Sequence, residues 1–257
     1  MALAVAAAGA AEAASVAAVS PAVAPAAAEA ADGKMKKYII FDFDGTLANT
    51  NGLVLDSWQE TLRHYLGHEL PERVIEATYG EVLVATMAKL IPGTEVDEAV
   101  EYFRAYQDSL PKKEMIHAFD GVTDLLVELR RRGCLIGVGT SRTANTFHDY
   151  MTMLGMYELV DEVVTMNDVT RHKPDPETAE AVLKKLAAHD GREWSDALRK
   201  EAIFIGDTKY DIGCAQNAGI DSVLVGWSHY VDEEDMAASG FAPTYKIKKP
   251  AELLELI

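Results

Sequence analysis

The 257-residue chain sets 24 Lys and Arg against 41 Asp and Glu, a net charge of −17 with histidine neutral, and 49% of its residues are hydrophobic. It has no basic block beyond Arg130-Arg131-Arg132, which falls at a predicted helix end, so a nucleic-acid partner is disfavoured. Its long uncharged stretch is mostly alanine and lacks the bulky apolar run of about 20 residues that a membrane-spanning helix needs, so no membrane partner is expected.

Residues 1–34 read as an alanine-rich disordered leader, with 18 alanines in the first 32 positions and neither Lys nor Arg before Lys34. A secretory signal would start positive and a transit peptide would carry arginine, and the segment does neither. The composition changes at Lys34-Met35-Lys36-Lys37, and Met35 offers an internal start. From there, short β-rich apolar runs recur at 38–43, 134–139, 159–165, 202–205 and 222–225, mostly separated by segments of helical length. Strands apolar on both faces that alternate with helices predict a doubly wound parallel sheet, an α/β core of Rossmann-like type.

Residues 51–115 interrupt this alternation and read as three or four helices. Leu53, Leu55, Trp58, Leu62, Tyr65 and Leu66 keep helical spacing, as do Val100, Phe103, Ala105 and Tyr106, while Pro71 and Pro92-Gly93 break the run. The expected division is a core of residues 35–50 and 116–257 with a small inserted helical cap at 51–115, standing above the carboxyl ends of the strands where such sheets bind ligands. The next helix is expected to start at Asp120 or Thr123 and to end at Gly133. Cys134 and Cys214, 80 positions apart, show neither metal nor disulfide spacing; they read as buried small hydrophobes in a reducing, cytoplasmic setting.

Four short motifs each sit at a predicted strand end. In Asp42-Phe43-Asp44-Gly45-Thr46, the glycine allows a turn that brings two carboxylates to one place, which is tolerable when a cation lies between them or one stays protonated. Gly139-Thr140-Ser141-Arg142 offers hydroxyls and free helix-start amides, a common oxyanion cradle. His172-Lys173-Pro174-Asp175-Pro176 fixes a lysine in extended backbone at a loop-to-helix junction. Gly206-Asp207-Thr208-Lys209-Tyr210-Asp211 supplies two more acids four positions apart, an all-oxygen cluster of the kind that suits Mg²⁺. The four should converge on one crevice.

With these motifs in this order, the chain resembles the haloacid dehalogenase-like phosphohydrolases, in the phosphoglycolate phosphatase and pyrophosphatase branch with a helical cap. The resemblance spans about Lys36 to Ile257 and rests on Asp42, Asp44, Thr46, Thr140, the Lys173-Pro174 pair, Asp207 and Asp211, with Asn49-Thr50-Asn51 and Pro250-Ala251-Glu252-Leu253-Leu254 adding to the branch likeness. It implies a Mg²⁺-dependent phosphatase acting on a small phosphate monoester or pyrophosphate. Asp42 would attack phosphorus to form an aspartyl-phosphate, and Asp44 would protonate the leaving oxygen and then activate water. Mg²⁺ would be held by the Asp42 carboxylate, the Asp44 carbonyl and Asp207, with Asp211 in support. Thr140 and Lys173 would serve catalysis, with Thr46, Ser141 and Arg142 on the substrate. Two departures, Asn49 for a frequent aspartate and Ser141 for a frequent asparagine, bear on substrate choice.

The alternatives are a phosphotransferase or mutase of the β-phosphoglucomutase type, a phosphoacceptor signalling module and a catalytically silent binder. Thr46 favours hydrolysis over phosphoryl migration. A signalling receiver would carry its acidic pair on the first strand and lack the cap. In the cap, Arg63, His64, Tyr79, Lys89 and Arg104 are the polar groups that could reach a substrate.

Overall fold

The computed structural model describes residues 36–228 and 233–257; the predicted leader and Met35 lie outside them. In chain order the strands are β1 Tyr38–Phe41, β2 Ala48–Asn49, β3 His117–Ala118, β4 Leu135–Gly139, β5 Glu162–Val164, β6 Ala202–Gly206, β7 Asp221–Val225 and β8 Tyr245–Ile247. The helices are α1 Asn51–Leu66, α2 Glu72–Glu76, α3 Leu83–Leu90, α4 Val96–Ser109, α5 Lys112–Met115, α6 Val122–Arg131, α7 Ala144–Met153, α8 Glu177–His189, α9 Lys209–Ala218 and α10 Glu233–Ser239.

Six strands form one parallel sheet in the order β5-β4-β1-β6-β7-β8. The central strand β1 shows why both faces are covered. Its side chains alternate, so Ile39 and Phe41 join Leu125 and Leu129 of α6 and Phe147 and Tyr150 of α7, while Tyr38 and Ile40 join Val182 and Leu186 of α8 and Ala215 and Ala218 of α9. All four β1 residues are buried, as a strand between two helical layers requires. The fold is the predicted doubly wound α/β sheet.

Several boundaries differ from expectation. The first strand stops at Phe41 rather than 43, because Asp42 and Phe43 already enter the turn. The run expected over 159–165 keeps only Glu162–Val164 as strand, with Tyr157–Leu159 in a single 3₁₀ turn. The N-cap of α6 is Gly121 at φ +82°, not Asp120 or Thr123. The edge strand β8 was hidden by its polarity, since Tyr245 and Lys246 are exposed and only Ile247 is buried.

Helices α1–α5 occupy 51–115 and gather around a cluster of their own, in which Trp58 and Leu62 meet Ile75, Met87, Val100 and Phe103. Leu53 packs instead into the cluster beneath the sheet, and Ala105 is exposed although its spacing put it on the apolar face. The chain enters and leaves this helical segment through the antiparallel pair β2 and β3, with Ala48 opposite Ala118 and Asn49 opposite His117. The two crossings are therefore side by side. The arginine run is spent within the chain, Arg130 on Asp161 and Arg131 and Arg132 on Glu128. Cys134 and Cys214 are both buried and free, as read from the sequence. Among the described residues no helix is long and apolar enough to cross a membrane.

Candidate active site

The carboxyl ends of β1, β4, β6 and β7 meet at one place. Asp42 leaves β1 with its N–H bonded to Ile205 O of β6 at 2.8 Å, and the chain turns at Gly45 with φ +73°. Glycine is required twice over at this position. A left-handed φ disfavours other residues, and a Cβ would lie 1.9 Å from Asp207 Oδ2. The turn thus presses the first motif against the fourth.

Lys173 arrives from the loop before α8 and donates to Asp42 Oδ1 at 2.6 Å and to Asp211 Oδ1 at 2.7 Å. Asp211 is itself oriented by the capping box of α9, in which Thr208 is the N-cap and Asp211 Oδ2 accepts from Thr208 N at 3.0 Å and Thr208 Oγ1 at 2.7 Å. Asp207 Oδ2 accepts from Ser228 Oγ at 2.7 Å, while Asp207 Oδ1 is buried with no hydrogen-bond partner among the described residues. One ligand oxygen each from Asp42, Asp207 and Asp211 lie within 4.8 Å of one another.

The electrostatics follow from crowding acids away from water. Burial pushes Asp42 up to about 7, Lys173 pulls against the rise, and Asp211 and Asp44 add to it. Asp207 is raised well above the ordinary carboxylate range, first by burial and then by Asp211 and Asp42. Burial disfavours the Lys173 charge, yet Asp211 and Asp42 outweigh it and raise that lysine. When all three carboxylates are ionised, one ammonium leaves two negative charges without a counter-charge among the described residues, and this excess is part of what pushes Asp42 and Asp207 toward keeping a proton.

Asp44 lines the same cavity, with its carboxylate on the Arg142 guanidinium and the Thr50 hydroxyl. Ser141 and Arg142 line the cavity, which encloses about 180 Å³. Thr140 is buried beside them and does not itself line the cavity; its hydroxyl accepts from Arg142 N at 3.2 Å, which leaves its own proton to donate. Thr46 is brought to the turn but not to the cavity wall. It is fully buried, its hydroxyl has no partner, and its carbonyl accepts from Trp227 Nε1 at 3.0 Å.

The helical segment closes the cavity from above with Asn51, Val54 and Trp58 of α1, the 78–81 loop, and Phe103, Arg104 and Gln107 of α4. Of the polar groups singled out there, Tyr79 and Arg104 line the cavity. Arg63 is tied to Glu60 and Glu69, His64 stacks on Tyr102, and Lys89 pairs with Glu81. The loop reaches the start of α9, with Tyr210 Oη donating to Glu81 Oε1 at 2.6 Å and Gly80, at φ +90°, seated against Thr208 and Tyr210. Sequence reading missed Ser228, Glu81, Thr208 and the partner of Arg142. Ser228 had a signal, since it follows β7 as the other motifs follow their strands.

With that geometry in place, comparison identifies the class: the haloacid dehalogenase-like hydrolase family matches residues 39–225, and the chain belongs to it. Among its relatives is the pyrophosphatase PpaX of Bacillus mycoides, 29% identical over 219 residues that cover 85% of this chain and 95% of the relative. Solved structures include a Lactobacillus plantarum protein assigned as a phosphoglycolate phosphatase, with a TM-score of 0.72 and 24% identity over 87% of this chain and all of that one. A hydrolase from Pseudomonas syringae gives a TM-score of 0.69 at 23% identity, covering 85% of this chain and 96% of its own.

Proposed function

We propose that the protein is a Mg²⁺-dependent phosphatase that hydrolyses a small phosphate monoester, of the size of phosphoglycolate, or pyrophosphate, by way of an aspartyl-phosphate on Asp42. In this reading residues 51–115 act as a cap over the core formed by 35–50 and 116–257. The observation that carries it is the cavity floor, where Asp42, Asp207 and Asp211, once ionised, leave two charges unbalanced around Lys173 among the described residues, the charge of one divalent cation. Asp207 Oδ1 is a buried oxygen of this floor without a hydrogen-bond partner among the described residues, and an all-oxygen donor set suits a hard ion. Asp42, Asp207 and the Asp44 carbonyl would hold Mg²⁺, with Asp211 in support through Lys173 and Thr208. When bound, the ion supplies positive charge to the phosphoryl oxygens.

The chain's own groups divide the remaining work. An Asp42 oxygen attacks phosphorus, the bond from phosphorus to the leaving oxygen breaks, and Asp44 gives that oxygen its proton. In the second half, the Asp44 carboxylate takes a proton from water as the water oxygen bonds to phosphorus, and the Asp42–phosphorus bond breaks to release phosphate. Lys173, the Thr140 hydroxyl and the Ser141 amide offset charge on the phosphoryl oxygens. Thr46, fully buried with its carbonyl held by Trp227 Nε1, shapes the turn rather than touching substrate. Family membership and the Bacillus pyrophosphatase support this reading.

The test is phosphate release from phosphoglycolate, pyrophosphate, sugar phosphates and nucleoside monophosphates, with Mg²⁺ and with chelator. Release that requires Mg²⁺ and vanishes in Asp42→Asn is the expected result. Stable phosphorylation of Asp42 by a small phosphodonor without release from any compound would overturn it in favour of phosphotransfer.

A further inference from the structure

Apart from the acid floor, the cavity holds a second ion pair whose two members are unequally fixed. We propose that Arg142 is the positioning residue for Asp44, holding the acid–base carboxylate in place instead of gripping the phosphoryl group. The inference rests on the phosphatase reading above.

Arg142 spends its fork on one carboxylate. Its Nε lies 2.9 Å from Asp44 Oδ1 and 2.7 Å from Oδ2, and its Nη2 lies 2.6 Å from Oδ1. Such forked pairing sets direction as well as charge. The arginine is the anchored partner. Its guanidinium carbon stands 4.6 Å over the Tyr150 ring and 5.8 Å from the centre of Phe43, both rings being buried. Its backbone is held at both ends, N donating to Thr140 Oγ1 at 3.2 Å and O accepting from Met166 N at 3.0 Å. The Arg142 side chain is 10% exposed against 35% for Asp44. Asp44 is therefore the side chain that would swing if the pair were broken, with only the Thr50 hydroxyl left to hold it.

Positioning has a chemical signature that phosphate binding lacks. A misplaced acid harms the expulsion of a basic alkoxide, which must be protonated as it leaves, and scarcely touches the expulsion of p-nitrophenolate, which leaves unaided. A displacement near 1 Å costs about 100-fold where geometry matters.

The experiment measures kcat/KM with Mg²⁺ on phosphoglycolate and on p-nitrophenyl phosphate for the wild type, Arg142→Met, Arg142→Lys and Tyr150→Leu, together with inhibition by inorganic phosphate. Arg142→Met should lose about 100-fold on phosphoglycolate and less than about 3-fold on p-nitrophenyl phosphate, with phosphate inhibition unchanged. Arg142→Lys should recover only part of the loss, because an ammonium supplies charge without the fork. Tyr150→Leu, which removes the ring under the guanidinium, should give a smaller loss with the same bias, and it decides the matter if Arg142→Met does not fold. Equal losses on both esters with weakened phosphate inhibition would overturn the inference and return Arg142 to the phosphoryl group. No loss on either ester would also overturn it. A wild type inactive on both esters would overturn this inference, and one inactive on pyrophosphate as well would defeat the phosphatase reading, whereas an active wild type with even losses defeats this inference alone.

Discussion

Lys173→Met tests the charge balance of the site most directly. Methionine keeps an unbranched stem of similar volume and removes the ammonium that lies 2.6 Å from Asp42 and 2.7 Å from Asp211. Those three side chains are 3%, 10% and 3% exposed, so water cannot replace the lost cation. Deleting one partner of a buried ion pair costs about 3–5 kcal/mol. The lower end applies here, because Asp42 already sits at about 7 and escapes part of the cost by keeping a proton. For a folded unit of this size, about 3 kcal/mol corresponds to a melting temperature lower by about 6–12 °C. Millimolar Mg²⁺ should restore part of that loss by returning positive charge to the floor, and phosphate release should fall by about 10²–10³-fold even with the metal present. Differential scanning fluorimetry with and without Mg²⁺, alongside the phosphate assay, reads both quantities. A melting temperature within about 2 °C of wild type without metal, or turnover preserved, would refute the balance drawn here.

Gly45→Ala forces a left-handed backbone on a residue with a Cβ, at about 1–2 kcal/mol, and places that carbon on Asp207 Oδ2. Mg²⁺-dependent hydrolysis should collapse while circular dichroism stays native, and retained turnover would show that the turn yields. Ser228→Ala removes the hydroxyl on Asp207 Oδ2 and should raise the Mg²⁺ concentration for half-maximal activity by about 10–100-fold, read from a metal titration. Glu177 accepts from the Thr170 and Arg171 amides and the Thr170 hydroxyl, and its carboxyl is lowered to about 2, with the Thr170 amide as the largest cause. A depressed acid stabilises the fold above its unfolded value near 4.3 and loses that contribution as pH falls toward 2. The gap in melting temperature between wild type and Glu177→Gln should therefore be constant from pH 7 to about 5 and close below about 4. A gap that widens on acidification would contradict it.

The parallel sheet was legible because its strands are apolar on both faces, and β1 shows the cause in its alternation between two helical layers. What the pattern could not show was polarity at the margins. Tyr245 and Lys246 are exposed, so β8 carries too few buried residues to register, and the strand before Asp44 shortens because the turn begins at Asp42. Three or four helices were expected in 51–115 and five are present: spacing marked α1 and α4, while α2, α3 and α5 are too short to show a period, and Leu53 was indistinguishable from its neighbours. Its heptad-like position says that it is buried without saying against which cluster.

The same limit governs the site. A side chain at the carboxyl end of a parallel strand is aimed at the crevice by topology, so Asp42, Ser141 and Asp207 could be placed from sequence, and Ser228 could have been placed by extending that rule to β7. Pairing partners obey no such rule. Arg142 meets Asp44 across 98 positions and Tyr210 meets Glu81 across 129, and neither separation leaves a trace in local pattern. Arg142 could be assigned to the loop and even to the cavity, but an arginine beside a phosphoryl site and one that holds a carboxylate carry the same letter in the same motif. Only the Tyr150 ring beneath the guanidinium and the turn at Gly45 separate the two. They fix the arginine and leave the aspartate as the movable member, which is why leaving-group dependence, rather than loss of activity, is the measurement that distinguishes them.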